Sequence, residues 1–173
     1  MIYVSRKEHF NAAHKLWNPN WSEEKNTEVF GPCANVNWHG HNFELIVTVK
    51  GQADPETGFV VDLKKLSSVV KSLVIDKVDH KNLNLDVDFM QGKLASCETL
   101  VSEFWKILYP AVKEITTQGE LHKLTLYETP RNFVEYFHFS IFKKHVLFIL
   151  NVFFKVNNSL ILFFLINCYN YIY

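Results

Sequence analysis

From His39 to Lys50 the chain reads His-Gly-His-Asn-Phe-Glu-Leu-Ile-Val-Thr-Val-Lys, and no other run constrains the fold as much. Phe43, Leu45, Val47 and Val49 alternate, so on an extended strand they fill one face, with His41 on that face near its start. His39 and His41 are two apart, a spacing that aims both rings the same way on a strand and splays them on a helix. Upstream, Phe10-Asn11-Ala12-Ala13-His14 is another extended segment, with Phe10, Ala12 and His14 on one face. If the two segments pair as antiparallel neighbours, three imidazoles converge. Three histidines with a fourth position open describe a catalytic zinc site, whereas a structural site closes with a fourth protein ligand, most often Cys. Cys33 is the candidate for that fourth ligand, and taken alone it reads as readily as a small buried hydrophobe.

At 173 residues and 48% hydrophobic, the chain holds one domain with enough apolar material for a core. Its 18 basic and 18 acidic side chains balance, so no global field favours nucleic acid or an anionic membrane, and an anionic ligand must be met by local charge. Three cysteines (Cys33, Cys97 and Cys168) are an odd number at wide spacings. That argues against a disulfide framework and for a reducing compartment, the cytoplasm by default. The opening Met-Ile-Tyr-Val-Ser-Arg-Lys-Glu-His carries charges where an export signal needs an apolar run.

Taken in order, residues 2–16 read as a long strand ended by the turn residues Trp17-Asn18-Pro19-Asn20, followed by a loop to about Asn37 and the strand His39–Lys50. Asp62 is a good N-cap for a helix whose apolar face is Leu63, Leu66, Val69, Val70, Leu73 and Val74. Asp79 to Asn84 is polar and loop-like. Ser96 caps a second helix carrying Leu100, Val101, Phe104, Ile107 and Leu108, its end disturbed by Pro110. Leu121–Thr129 is a strand with Leu124, Leu126 and Glu128 on one face, and Asn132–Phe137 is the last strand. The order β-β-α-α-β-β gives an α+β fold in which two helices cover one face of a four-stranded antiparallel sheet.

Asp79-His80 reads alone as a turn with a local hydrogen bond, and Glu128 as a residue on an edge strand. Together, however, His14, Cys33 with five residues between it and His39-Gly40-His41, Asp79-His80-Lys81-Asn82-Leu83, Glu98 and Tyr127-Glu128-Thr129 resemble the 6-pyruvoyl tetrahydropterin synthase family over roughly residues 3–137. The resemblance implies the tunnelling fold, in which three subunits close their sheets into a barrel and two trimers stack as a homohexamer. It implies the substrate 7,8-dihydroneopterin triphosphate, converted to 6-pyruvoyltetrahydropterin with loss of inorganic triphosphate. Carried over residue by residue, it puts one Zn2+ per subunit on His14, His39 and His41, the catalytic thiol at Cys33 and an Asp79–His80 proton relay. Glu128 becomes the anchor for the pterin ring, with Ser96, Cys97 and Glu98 beside it. On this reading Cys33 stays off the metal and serves as general base, because a thiol's pKa moves toward neutrality beside a metal or cation. No redox cofactor is implied, since the substrate's own hydroxyl carbons supply the electrons that reduce the ring.

Two features depart from the family pattern. Cys97 stands where the family usually has a hydroxyl residue, so a polar contact to the ring is replaced by a weaker thiol one unless Ser96 compensates. After Phe137 the composition turns to Phe, Leu, Ile, Asn, Tyr and Lys, with no acidic residue, Gly, Pro or Ala. Val146–Ile166 has the length of a membrane anchor, but Asn151, Lys155, Asn157 and Asn158 interrupt it. We therefore read residues 138–173 as translated AT-rich non-coding sequence outside the domain of residues 1–137, and expect no membrane partner. Two rival functions are a 6-carboxytetrahydropterin synthase, whose thiol usually lies closer to the His-x-His pair, and a non-catalytic zinc-binding paralogue, which would need none of Cys33, Asp79, His80 and Glu128.

Overall fold

A computed structural model describes residues 1–137; the tail expected to be non-coding or an anchor lies outside the described residues. Strand β1 (Ile2–His14) is followed by helix α1 (Glu23–Phe30), a 3-10 turn (Gly31–Ala34) and strand β2 (His39–Gly51). Helix α2 (Leu63–Val70) runs through a π-helical turn (Lys71–Ile75) into the short α3 (Asp76–Val78). After them come β3 (Lys81–Asn82), a 3-10 turn (Asp88–Met90), the long helix α4 (Cys97–Ile115), β4 (Gly119–Tyr127) and β5 (Phe133–Phe137).

The sheet order is β3-β1-β2-β4-β5, antiparallel except for β3, which runs parallel to β1. Five strands replace the expected four. The two residues of β3 pair with Ala12 and Ala13 on the otherwise open edge of β1, and they are too short to leave a periodic signal in a segment read as loop.

The alternation sets the layering. Phe10, Phe43, Leu45, Val47, Leu124 and Leu126 are fully buried on one face of the sheet, where Phe10 stacks on Phe43 and meets the edge of Phe104 from α4. Each such side chain contributes about 1.5–3 kcal/mol by leaving water. Ser96 caps α4 by accepting from Thr99 N–H at 3.3 Å, and Asp62 caps α2 by accepting from Lys64 N–H at 2.7 Å.

Four expectations are corrected. The segment read as loop contains α1, a polar helix whose first turn holds Glu23 and Glu24 behind the N-cap Ser22. Its one buried side chain, Asn26, donates to the carbonyls of Asn18, Trp21 and Ser22. Leu63 and Leu73, placed on the buried face of α2, are 42% and 39% exposed. Leu63 is the first helical residue, and the π turn slips the helical phase so that Leu73 swings outward. Pro110 does not end α4, which continues to Ile115. Finally, β4 stops at Tyr127, so Glu128 lies in the turn where its N–H donates to the Asn132 carbonyl.

Candidate metal centre and pterin-synthase site

Ladder register brings the imidazoles together. His14 at the end of β1 pairs with His39 at the start of β2, and Ala12 pairs with His41, so all three rings emerge on the core face at one end of the sheet. The ring centroids of His14 and His39 are 4.4 Å apart, and His41 lies 5.2 Å and 5.0 Å from them. One ring nitrogen from each falls within 4.8 Å of the other two.

His14 is 2% exposed, and its Nδ1 is 2.8 Å from the Ala95 carbonyl just ahead of α4. A carbonyl only accepts, so Nδ1 carries the proton and the Nε2 lone pair points into the cluster. That Nε2 and both ring nitrogens of His39 are buried with no protein partner among the described residues. Burial, reinforced in each case by a neighbouring imidazole, holds the pKa of all three histidines below the ordinary value, keeping them neutral. Neutral, convergent imidazoles, with ring nitrogens of His14 and His39 left without a protein partner, are what a divalent metal requires, so the residues present fit the group.

Cys33 sits half-buried in the 3-10 turn, whose placement is fixed where Leu16 N–H donates to the Cys33 carbonyl at 2.9 Å. It shares a cavity of about 410 Å³ with His14, Ser96, Cys97, Glu98 and Glu128. Glu128 Oε1 lies 3.5 Å from His14 Nε2 and 3.7 Å from His41 Nε2, so the carboxylate faces the imidazoles as well as the cavity. Burial pushes the Cys97 thiol well above the ordinary thiol range, and the Glu128 carboxylate, to which it donates a hydrogen bond, pushes it further. Cys97 therefore remains a neutral donor. Ser96 reaches the cavity while its hydroxyl caps α4, and Glu98 is the exposed acid of that helix's first turn.

Asp79 and His80 are placed elsewhere. Asp79 Oδ1 accepts from Asn11 N–H at 2.8 Å, and Asp79 Oδ2 lies 3.0 Å from His80 Nδ1. The Asn11 N–H and the adjoining His80 together hold the Asp79 carboxyl below its usual range. His80 has a left-handed φ of 57° and a side chain 78% exposed. It lines a shallow groove at the sheet edge with Asn11, Ala13, Gly40 and Asn42, and the groove also touches Ala12 and His41. The fold thus gathers His14, His39, His41, Cys33, Ser96, Cys97, Glu98 and Glu128 at one end of the sheet and leaves the Asp79–His80 dyad outside. Two contributors went unread in the sequence: the Ala95 carbonyl, which has no side-chain signal, and Arg131, which brings a cation to the Cys33 cavity from an unremarkable turn.

Comparison with known proteins agrees with this geometry. The family model described as 6-pyruvoyl tetrahydropterin synthase matches residues 3–138. The 6-pyruvoyl tetrahydrobiopterin synthase of Homo sapiens is 37% identical over 133 residues, covering 77% of this chain and 89% of that protein. A 6-carboxy-5,6,7,8-tetrahydropterin synthase of Haemophilus influenzae is 24% identical over 152 residues, covering 79% and 99%. The solved structure of Caenorhabditis elegans 6-pyruvoyl tetrahydropterin synthase superposes with a TM-score of 0.68 at 35% identity, covering 80% of this chain and 96% of that one. With the matched residues spanning the sheet, both main helices and the three-histidine cluster, the chain belongs to the 6-pyruvoyl tetrahydropterin synthase family.

Proposed function

We infer that this protein is a 6-pyruvoyltetrahydropterin synthase, a lyase of tetrahydrobiopterin biosynthesis acting on a pterin. The observation that carries this reading is the convergence of three neutral imidazoles beside a cavity that holds Cys33, Glu128 and His14, with Glu128 facing both His14 and His41. We further propose that the substrate is 7,8-dihydroneopterin triphosphate and that the metal held by His14, His39 and His41 is zinc, one per subunit. Bound there, zinc would supply Lewis acidity toward the two side-chain hydroxyls and acidify the adjoining C–H groups.

The chain's own residues do the rest. Glu128 accepts two hydrogen bonds from the amino-pyrimidine edge and sets the ring's orientation, with Cys97 donating to the carboxylate to hold it in place. Ser96 and Glu98 line the same wall. Cys33, half-exposed to the cavity, takes the proton from the side-chain carbon. His80, oriented by Asp79, carries protons as triphosphate leaves. Because the dyad lies outside the Cys33 cavity of its own chain, we propose that it serves the cavity of a neighbouring subunit. The unpaired edges of β3 and β5 are the kind that three copies close into a barrel, and we propose a homohexamer built from two such trimers.

Incubating the purified protein with 7,8-dihydroneopterin triphosphate and identifying the pterin by mass tests this reading. The pyruvoyl product is expected; a carboxy product would assign the rival activity, and no turnover with metal bound would favour a non-catalytic paralogue. We place the catalytic unit within residues 1–137, so a chain ending at Phe137 should turn over substrate, and loss of folding or activity in that chain would move the boundary.

A further inference from the structure

We propose that Lys15 and Trp38 form a clamp that positions His39 for metal binding, an inference that rests on reading His14, His39 and His41 as the ligands. Metal-binding histidines are ordinarily oriented by a hydrogen bond from the second ring nitrogen. The Ala95 carbonyl provides one for His14, whereas neither ring nitrogen of His39 has a protein partner among the described residues. His39 must therefore be aimed by its packing against His14 and His41 and by the backbone on either side.

That backbone is unusually constrained. On one side, a Cβ at Gly40 would come within 3.1 Å of the Ala12 carbonyl oxygen, so the strand runs close to β1. On the other, Trp38 has a φ of 64°, a left-handed conformation that a bulky side chain seldom adopts. Such conformations persist where the surroundings over-determine them. Trp38 N–H donates to the Asn35 carbonyl at 3.1 Å, closing the turn that enters β2. Its ring faces the Lys15 ammonium, 5.4 Å from the centroid, and the same ammonium lies 4.4 Å over Trp17. The Lys15 backbone is itself held on both sides by the Asn84 amide, which accepts from Lys15 N–H at 3.1 Å and donates to the Lys15 carbonyl at 3.0 Å.

His14 and His39 are the last rung of the β1/β2 ladder, and Lys15 and Trp38 are the next residue outward on each strand. The clamp closes the strand pair one step beyond two of the ligands. No carboxylate lines the surrounding cleft, and none lies within ion-pair distance of Lys15 among the described residues, so the aromatic faces alone answer its charge. Lys15 and Trp38 touch no reacting atom in this scheme; they are positioning residues.

The full chain serves for the test. Zinc affinity is measured by competition with a chromophoric chelator, the Co2+-loaded protein is examined by visible absorption, and the metal-free protein is melted. Lys15→Met should weaken zinc binding about tenfold, at the lower end of what loss of an orienting partner costs. It should also shift the Co2+ bands while leaving the metal-free melting temperature near the parent's. Lys15→Arg should restore the affinity, because a guanidinium also stacks on indole. Lys25→Met removes the same kind of contact, 4.4 Å from Trp21, away from any ligand and should change nothing. Parent-like zinc binding by Lys15→Met, or an equal loss in Lys25→Met, would overturn the clamp alone. A parent chain that binds no metal would overturn the three-histidine reading, and the clamp with it.

Discussion

The two histidine-bearing regions of this protein are built on opposite principles. At the end where β1 and β2 meet, one buried and two half-buried imidazoles are paired through the ladder register and kept neutral by their surroundings. At the edge strand β3, the Asp79–His80 dyad is turned outward on a left-handed backbone, its imidazole oriented by a carboxylate but mostly in water. Burial suits the first region to holding a metal, since a neutral nitrogen with no other partner is a ligand in waiting. Exposure suits the second to carrying protons for something that docks against it. The imidazole cluster is assembled within one chain, whereas the dyad is the one we propose works against a second surface.

Removing a ligand from the buried region should have the largest effect. His39→Ala or His41→Ala should release the metal and with it essentially all turnover, read by metal analysis after dialysis; one retained equivalent per chain would break the three-histidine assignment. Cys33→Ala should bind metal as the parent does yet lose about 10²–10⁴ in turnover, the usual contribution of a positioned proton-transfer group. Loss of metal with activity would make Cys33 a ligand. The contrast between the regions is sharpened by mixing: if the dyad serves a neighbouring subunit, co-refolding inactive Cys33→Ala and His80→Ala chains should recover up to about a quarter of parental activity, from random pairing across interfaces. No recovery would confine both roles to one chain.

Smaller effects test the cavity wall and its titration. Glu128→Gln should raise KM by about 10-fold to 100-fold, the worth of a charge-assisted hydrogen bond, with metal content unchanged; an unaltered KM would exclude Glu128 from ring binding. Because the folded pKa values of His14, His39 and His41 lie below the unfolded value near 6.5, the unfolded chain binds more protons in the window beneath it. The stability they contribute is present above about pH 6.5 and is lost as pH falls through the lower folded values. The metal-free protein should thus melt lower at about pH 5 than at pH 7.5, with a shallower slope for metal-free His39→Ala. Equal slopes would show that the cluster does not carry the titration.

What sequence could and could not reveal follows from how each feature is encoded. The strands carrying the imidazoles were legible because period-two alternation over Phe43, Leu45, Val47 and Val49 admits one buried face, and the histidines share its phase. The caps Asp62 and Ser96 were legible because a short oxygen-bearing side chain ahead of an apolar periodicity answers the free N–H groups of a first turn. Helix α1 was passed over because it buries only a polar residue, although Ser22 followed by Glu23 and Glu24 was a usable start signal. The outward swing of Leu73 was hidden, since a π turn changes the helical phase without changing the residue pattern.

By itself, then, the sequence determined the fold class, the pairing of β1 with β2 and the identity of the three imidazoles, because these depend on local periodicity and on residue types that few other functions require together. Tertiary structure alone decided that the Ala95 carbonyl fixes the His14 tautomer, that Glu128 faces both the cavity and the imidazoles, and that Cys97 donates to it. It also decided that Asp79 and His80 lie outside the Cys33 cavity. These are contacts between segments far apart in the chain, set by how the sheet edge and the start of α4 close around one another, and no spacing along the chain encodes the direction in which a side chain finally points.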